Sequence, residues 1–121
     1  MDADTFESIV IEALDTLPQE FARYLDNVEI QIESRPTHEQ RRAVGLKPWQ
    51  TLYGLYQGVP LTVRSSSALL MPDLITLFQE PLEHDFPGLD QLRVQVRRTL
   101  LHEIAHFFGI SDARLRELNA Y

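Results

Sequence analysis

His102 and His106 stand four residues apart in the run His102-Glu103-Ile104-Ala105-His106. On a helix of about 3.6 residues per turn, positions four apart lie one turn apart and differ by roughly 40° around the axis. Two imidazoles so placed can converge on one tetrahedral metal. Glu103 sits about 60° from His106 on the same helix, beside such a metal without having to ligate it. That is where a base acting on an activated water has to be. A catalytic zinc keeps three protein ligands and leaves the fourth position for water, so a third donor is needed. Asp112 is the obvious candidate: Gly109 suits the left-handed residue that ends a helix, and Ile110 and Ser111 could turn the chain back toward the metal.

A surface helix could carry H-E-x-x-H by chance, and a structural zinc pair could use it too. The flanking residues argue for burial. Val96, Leu100, Ile104 and Phe107 form one apolar stripe, and Leu101, Ala105 and Phe108 a second. Both histidines and Glu103 then occupy a polar strip in apolar surroundings, where buried polar groups need partners. Structural zinc sites favour cysteine, and the chain has none.

The full run His102-Glu103-Ile104-Ala105-His106-Phe107-Phe108-Gly109-Ile110-Ser111-Asp112 resembles the motif of the small bacterial zincin-like metallopeptidases, the minimal zincins. Gly54 to Thr62, Pro72 to Phe78 and Asp112 to Leu115 are similar to that family in order and spacing. The resemblance runs from about Val28 to the C-terminus. It implies a compact α/β zincin fold and peptidase activity. By motif position it implies His102, His106 and Asp112 as zinc ligands and Glu103 as the catalytic base. Metzincins carry a similar extended motif followed by a methionine turn, but here Met1 and Met71 both precede the motif.

The elements that must position this strip follow from patterning. Asp4 or Thr5 can cap a first helix reaching about Leu17, burying Phe6, Val10, Ala13, Leu14 and Leu17. Pro18 suits the start of a short second helix to about Leu25. Val28 to Glu33 alternates apolar and polar residues, as a half-buried strand does. Thr37 and Gln40 have capping-box spacing, so a short helix is expected between Pro36 and Val44. Leu46 to Gln50 reads as loop, with Trp49 able to line a cleft but expected to pack into the core. Leu52 to Gln57 and Leu74 to Gln79 read as strands, and Arg64 to Ser67 as a polar loop. His84 and Asp85 fall in a loop after Glu80-Pro81. Asp85 or Asp90 should cap the long helix that ends at Gly109. A last helix from Ser111 or Asp112 turns Leu115 and Leu118 inward. His38 is followed by Arg42 where a second histidine would have to stand, and it reads as a surface residue, as does His84.

The expected fold is therefore α/β in the α+β sense: a small mixed sheet of about three or four strands packed on the metal-bearing helix. The whole chain, 1–121, reads as one domain, with 1–27 as an N-terminal helical segment outside the sheet. A length of 121 residues, 44% hydrophobic and 24% charged, fits one ordinary globular core. The net charge of −7 is unevenly spread. Nine acidic residues and only Arg23 lie in 1–33, while nine acidic and ten basic residues share the rest. No broad basic surface exists for nucleic acid. No apolar run approaches membrane-spanning length, and the start lacks a signal-peptide pattern, so a cytoplasmic protein is expected. The expected partner is a peptide or protein substrate, lying along an edge strand placed at Tyr53 to Gln57. Two other readings stay open: a different zinc hydrolase acting on RNA or another amide, and a zinc-binding regulatory module without turnover.

Overall fold

The computed structural model describes residues 1–58 and 72–117. The expected loop at Arg64 to Ser67 and the inward Leu118 lie outside the described residues. Helix α1 (Ala3–Asp15) is followed by a 3-10 turn (Gln19–Phe21) and α2 (Ala22–Leu25). Strand β1 (Val28–Glu33), helix α3 (His38–Ala43) and strands β2 (Gly54–Gln57) and β3 (Asp73–Phe78) come next. Helices α4 (Gln79–Asp85), α5 (Leu89–Phe108) and α6 (Asp112–Glu117) complete the order.

Among the described residues the sheet has three strands in the order β1-β3-β2. β3 runs parallel to β1 and antiparallel to β2. The sheet is mixed, as the sequence implied, and its central strand is the most apolar: Ile75, Leu77 and Phe78 are fully buried. β1 keeps its alternation, with Glu29 and Gln31 exposed and Val28, Ile30 and Ile32 half-buried.

Helix α5 is the spine. Val96, Leu100, Leu101, Ile104 and Ala105 are fully buried, and α5 packs on α1 and on β2. Full burial of each large aliphatic side chain is worth about 1.5–3 kcal/mol. The α1 face that meets it consists of Phe6, Ile9, Val10 and Ala13. Ile9 adds to the expected set, and Leu14 and Leu17 sit half-buried at its margin.

Several local readings are corrected. Asp2, not Asp4 or Thr5, caps α1, accepting from the Thr5 N–H at 2.7 Å. His84 and Asp85 belong to α4, which forms directly after β3 and carries Pro81 in its first turn, where a missing N–H costs nothing. The cap of α5 is Gly88, and no side chain bonds there. Trp49 is not in the core: it is 76% exposed. The capping box at Thr37 and Gln40 forms as its spacing implied.

Candidate metal centre

Helix α5 brings His102, Glu103 and His106 to its C-terminal end, where β2 crosses it. Close approach of the two elements depends on Gly54. A Cβ there would come within 2.8 Å of Thr99 Cγ2 and 3.3 Å of the Thr76 carbonyl. With Gly54 against α5, the next strand residues reach the histidine turn.

The imidazoles of His102 and His106 have ring centroids 5.9 Å apart, with planes inclined by 36°. Two histidines on a common tetrahedral zinc, with Zn–N near 2.0 Å, put their centroids about 5 Å apart. The centroid separation is thus about an ångström longer than that of a zinc-sharing pair. His102 is partly buried and His106 is exposed, so the pair has one walled side and one open side. Burial first, then the neighbouring His106, hold the His102 imidazole below its ordinary pKa; the Asp112 carboxylate opposes this and Arg98 adds to it. A neutral imidazole is the form that binds a metal.

Asp112 is reached through a tight turn. Gly109 adopts φ 71° and ψ 26°, and the Ile110 N–H donates to the Ala105 carbonyl at 2.7 Å while the Gly109 N–H reaches His106 at 3.4 Å. These two bonds make the Schellman arrangement that reverses a chain after a helix. Ser111 caps α6 through its hydroxyl, which accepts from the Arg114 N–H at 3.1 Å. Asp112 is thereby left out of the cap role, with its exposed carboxylate near enough to act on His102. Among the described residues no three His, Asp or Glu side chains are gathered closely enough to hold a metal. The two-histidine pair is formed, and Asp112 stands beside it rather than closed onto it. The chemistry of these donors, two imidazoles and a carboxylate, suits zinc.

Glu103 lies close enough to feel His106 and turns its carboxylate to β2. Its Oε1 accepts the Tyr56 backbone N–H at 3.0 Å. The Phe78 N–H donates to the Tyr53 carbonyl at 2.9 Å, which makes Tyr53 a hydrogen-bonded pair with β3. By antiparallel alternation Leu55 and Gln57 also face β3, and the backbone groups of Gly54 and Tyr56 face away. Glu103 therefore sits on the side of β2 opposite β3. Burial raises its carboxyl pKa above the ordinary value, while the Tyr56 amide and His106 pull it down.

Tyr56 is fixed at two further points. Its hydroxyl donates to Asp73 at 2.9 Å, and its ring stacks on Phe107 at 4.0 Å. Phe108 meets Tyr56 edge-on at 5.9 Å and Tyr24 at 4.6 Å. Phe107 and Phe108 are 48% and 40% exposed, so the two apolar stripes of α5 stop short of its last turn. The sequence placed Tyr56 only within an edge strand from Tyr53 to Gln57. Its backbone role had no detectable signature, because any residue but proline carries that N–H.

A model of the zincin-like metallopeptidases matches residues 25–121. A solved structure, a conserved hypothetical protein from Thermus thermophilus, shares the fold at a TM-score of 0.59 and 22% identity, covering 89% of this chain and 94% of that one. No curated protein matches the chain. With the motif helix, its glycine turn and the mixed sheet all inside the matched span, the chain belongs to the zincin-like metallopeptidase family.

Proposed function

We propose that this protein is a zinc-dependent peptidase in which Glu103 is the general base. The observation that carries the reading is the position of Glu103: beside the histidine pair, partly buried, and hydrogen-bonded to the backbone of β2. His102 and His106 would hold the metal, and Asp112 would complete the set by turning its carboxylate onto it. When bound, zinc supplies a Lewis acid for a carbonyl oxygen and a water acidic enough to ionise near pH 7.

The chain's own residues do the rest. Glu103 takes the proton of the attacking water and later delivers it to the leaving amine. Its burial favours a carboxyl that can hold that proton between the two steps. An extended peptide would lie along the outward edge of β2 and pair with the backbone groups there that Glu103 leaves open, since Glu103 already holds the Tyr56 N–H. The partner is thus a peptide or protein. Neither a nucleic acid nor a membrane is part of this reading, and no helix among the described residues is long and apolar enough to cross one. We place the protein in the cytoplasm, where a cysteine-free chain needs no oxidising compartment.

The test is hydrolysis of a peptide library by zinc-loaded protein, read by mass spectrometry, with Glu103→Gln alongside. Cleavage by the wild type that disappears in the variant supports the proposal. Cleavage equal in both, or cleavage of structured RNA and not of peptides, rejects it.

A further inference from the structure

Trp49 is the chain's single tryptophan and is 76% exposed. Tryptophan is on average a well-buried residue, and it is among the residues enriched where proteins bind one another. The loop beneath it is rigidly built. Arg41 donates from one guanidinium nitrogen to the carbonyls of Lys47, Pro48 and Gln50, at 3.3, 3.3 and 2.8 Å. The Gln50 side chain accepts from the Lys47 N–H at 2.9 Å, and the Gln50 N–H returns to the Lys47 carbonyl at 3.0 Å. The indole is therefore presented on a preformed turn. A preorganised aromatic anchor loses little conformational entropy on binding, and tryptophan is the residue most enriched at binding hot spots.

The charge around this turn is positive. Lys47 Nζ lies 5.4 Å from the indole centroid, and Arg42 closes the preceding helix, next to an exposed Val44. The chain's net negative charge comes from residues 1–33, where nine acidic residues face one arginine. In that segment a groove of about 460 Å³ opens between α1 and β1. Its apolar lining includes Val10, Ile11, Ile30 and Ile32, and Glu7 and Glu33 add two carboxylates. Among the described residues none of Arg42, Lys47, Glu7 and Glu33 has an ion-pair partner. One surface is an aromatic knob with the Lys47 ammonium beside it and Arg42 on the preceding helix, and the other is an apolar groove lined by two carboxylates.

We propose that the occupant of the groove is a second copy of this chain, seating its Trp49 there with Lys47 and Arg42 against Glu33 and Glu7. The exchange is proposed as reciprocal about a two-fold axis, which closes the assembly at two copies, whereas a one-way contact would extend into a longer chain of copies and appear as a mass beyond the doubled value. A buried indole supplies about 150–250 Å² of contact from each side, at the centre of an interface whose rim is ionic. This proposal is independent of the peptidase reading, since none of its residues belongs to the metal site.

The lone tryptophan is its own probe. The full chain is diluted over the low-micromolar to millimolar range, with emission and acrylamide quenching read beside the mass from sedimentation. The proposal expects the mass to double while emission shifts to the blue and quenching falls, all with one midpoint. Trp49→Ala should raise the dissociation constant at least about 30-fold, the scale of a hot spot. Glu33→Lys and Lys47→Glu should each weaken the dimer, and an equimolar mixture of the two variants should restore it as a heterodimer. A chain that stays monomeric throughout overturns the proposal. So does a dimer whose indole remains fully quenchable, or a mixture with no recovery.

Discussion

Glu103 and Tyr56 are 47 positions apart in the chain, yet the carboxylate of one holds the backbone N–H of the other at 3.0 Å. That bond ties the motif helix to the outward side of β2. It also places the proposed base where a peptide paired with β2 would pass. A glutamine at 103 can still accept from the Tyr56 N–H, since its carbonyl oxygen replaces a carboxylate oxygen.

Glu103→Gln is therefore expected to keep the fold, the Tyr56 contact and zinc binding, while peptide hydrolysis falls by about 10² or more, the usual scale for a lost general base. Circular dichroism, zinc titration and turnover would be measured on the same preparation. Loss of zinc in the variant would assign Glu103 a ligand role instead.

Asp112→Ala should leave the fold intact, because the side chain is exposed and Ser111 already caps α6. Zinc affinity should drop by more than the roughly 10–100-fold that follows loss of an outer-shell partner. Competition with a chromogenic chelator measures this directly. An unchanged affinity would mean that another group completes the site.

Gly54→Ala should cost about 1–3 kcal/mol, the usual range for overpacking, because its Cβ would meet Thr99 Cγ2 at 2.8 Å. Thr99 is buried and β-branched, so it has little room to give way. Thr99→Ser removes that methyl and keeps a hydroxyl for Gln95, which now donates to it at 3.1 Å. In urea melts, the double variant should recover most of the loss. Full additivity of the two changes would locate the clash elsewhere.

Tyr53 donates its hydroxyl to Asp85, linking the approach to β2 with the end of α4. Burial first, then the bond and charge of Asp85, push the Tyr53 pKa from 10.0 up to about 12. The hydrogen bonds from Tyr53 and His84 hold the Asp85 carboxyl below 3.8. A raised tyrosine pKa means its neutral form is favoured in the folded state. That stability is complete below pH 10.0 and is lost as the pH climbs toward about 12. The depressed carboxyl contributes above pH 3.8 and loses its contribution as the pH falls through its lowered value. Tyr53→Phe should thus lower Tm at neutral pH, with the gap to wild type narrowing at both extremes. A gap independent of pH would show that the loss comes from ring packing against Phe86.

How far the sequence was legible depended on how local each feature is. The Thr37 capping box, the β1 alternation and the Gly109 stop are written within a few residues, and each formed where its pattern placed it. The family resemblance rests on a similarly local motif. Features set by distant partners could not be read. Trp49 looked like core because tryptophan usually is, but Arg41 fixes its loop facing outward. Phe107 and Phe108 continued the apolar stripes of α5 by period alone, whereas the helix there outruns the core and lends its rings to Tyr56 and Tyr24. No pattern along the chain encodes the Tyr56 amide reaching Glu103.

The proposed donors all lie on α5 or just past the Gly109 turn, whereas the contact that holds Glu103 requires β2 to be docked. On the proposed reading, the metal donors thus depend on local structure alone, and the placement of the base depends on a long-range contact. Short-range closure forms quickly, and long-range pairing forms late. On that reading, a chain in which α5 had formed but β2 had not yet docked would carry the histidine pair without a held base.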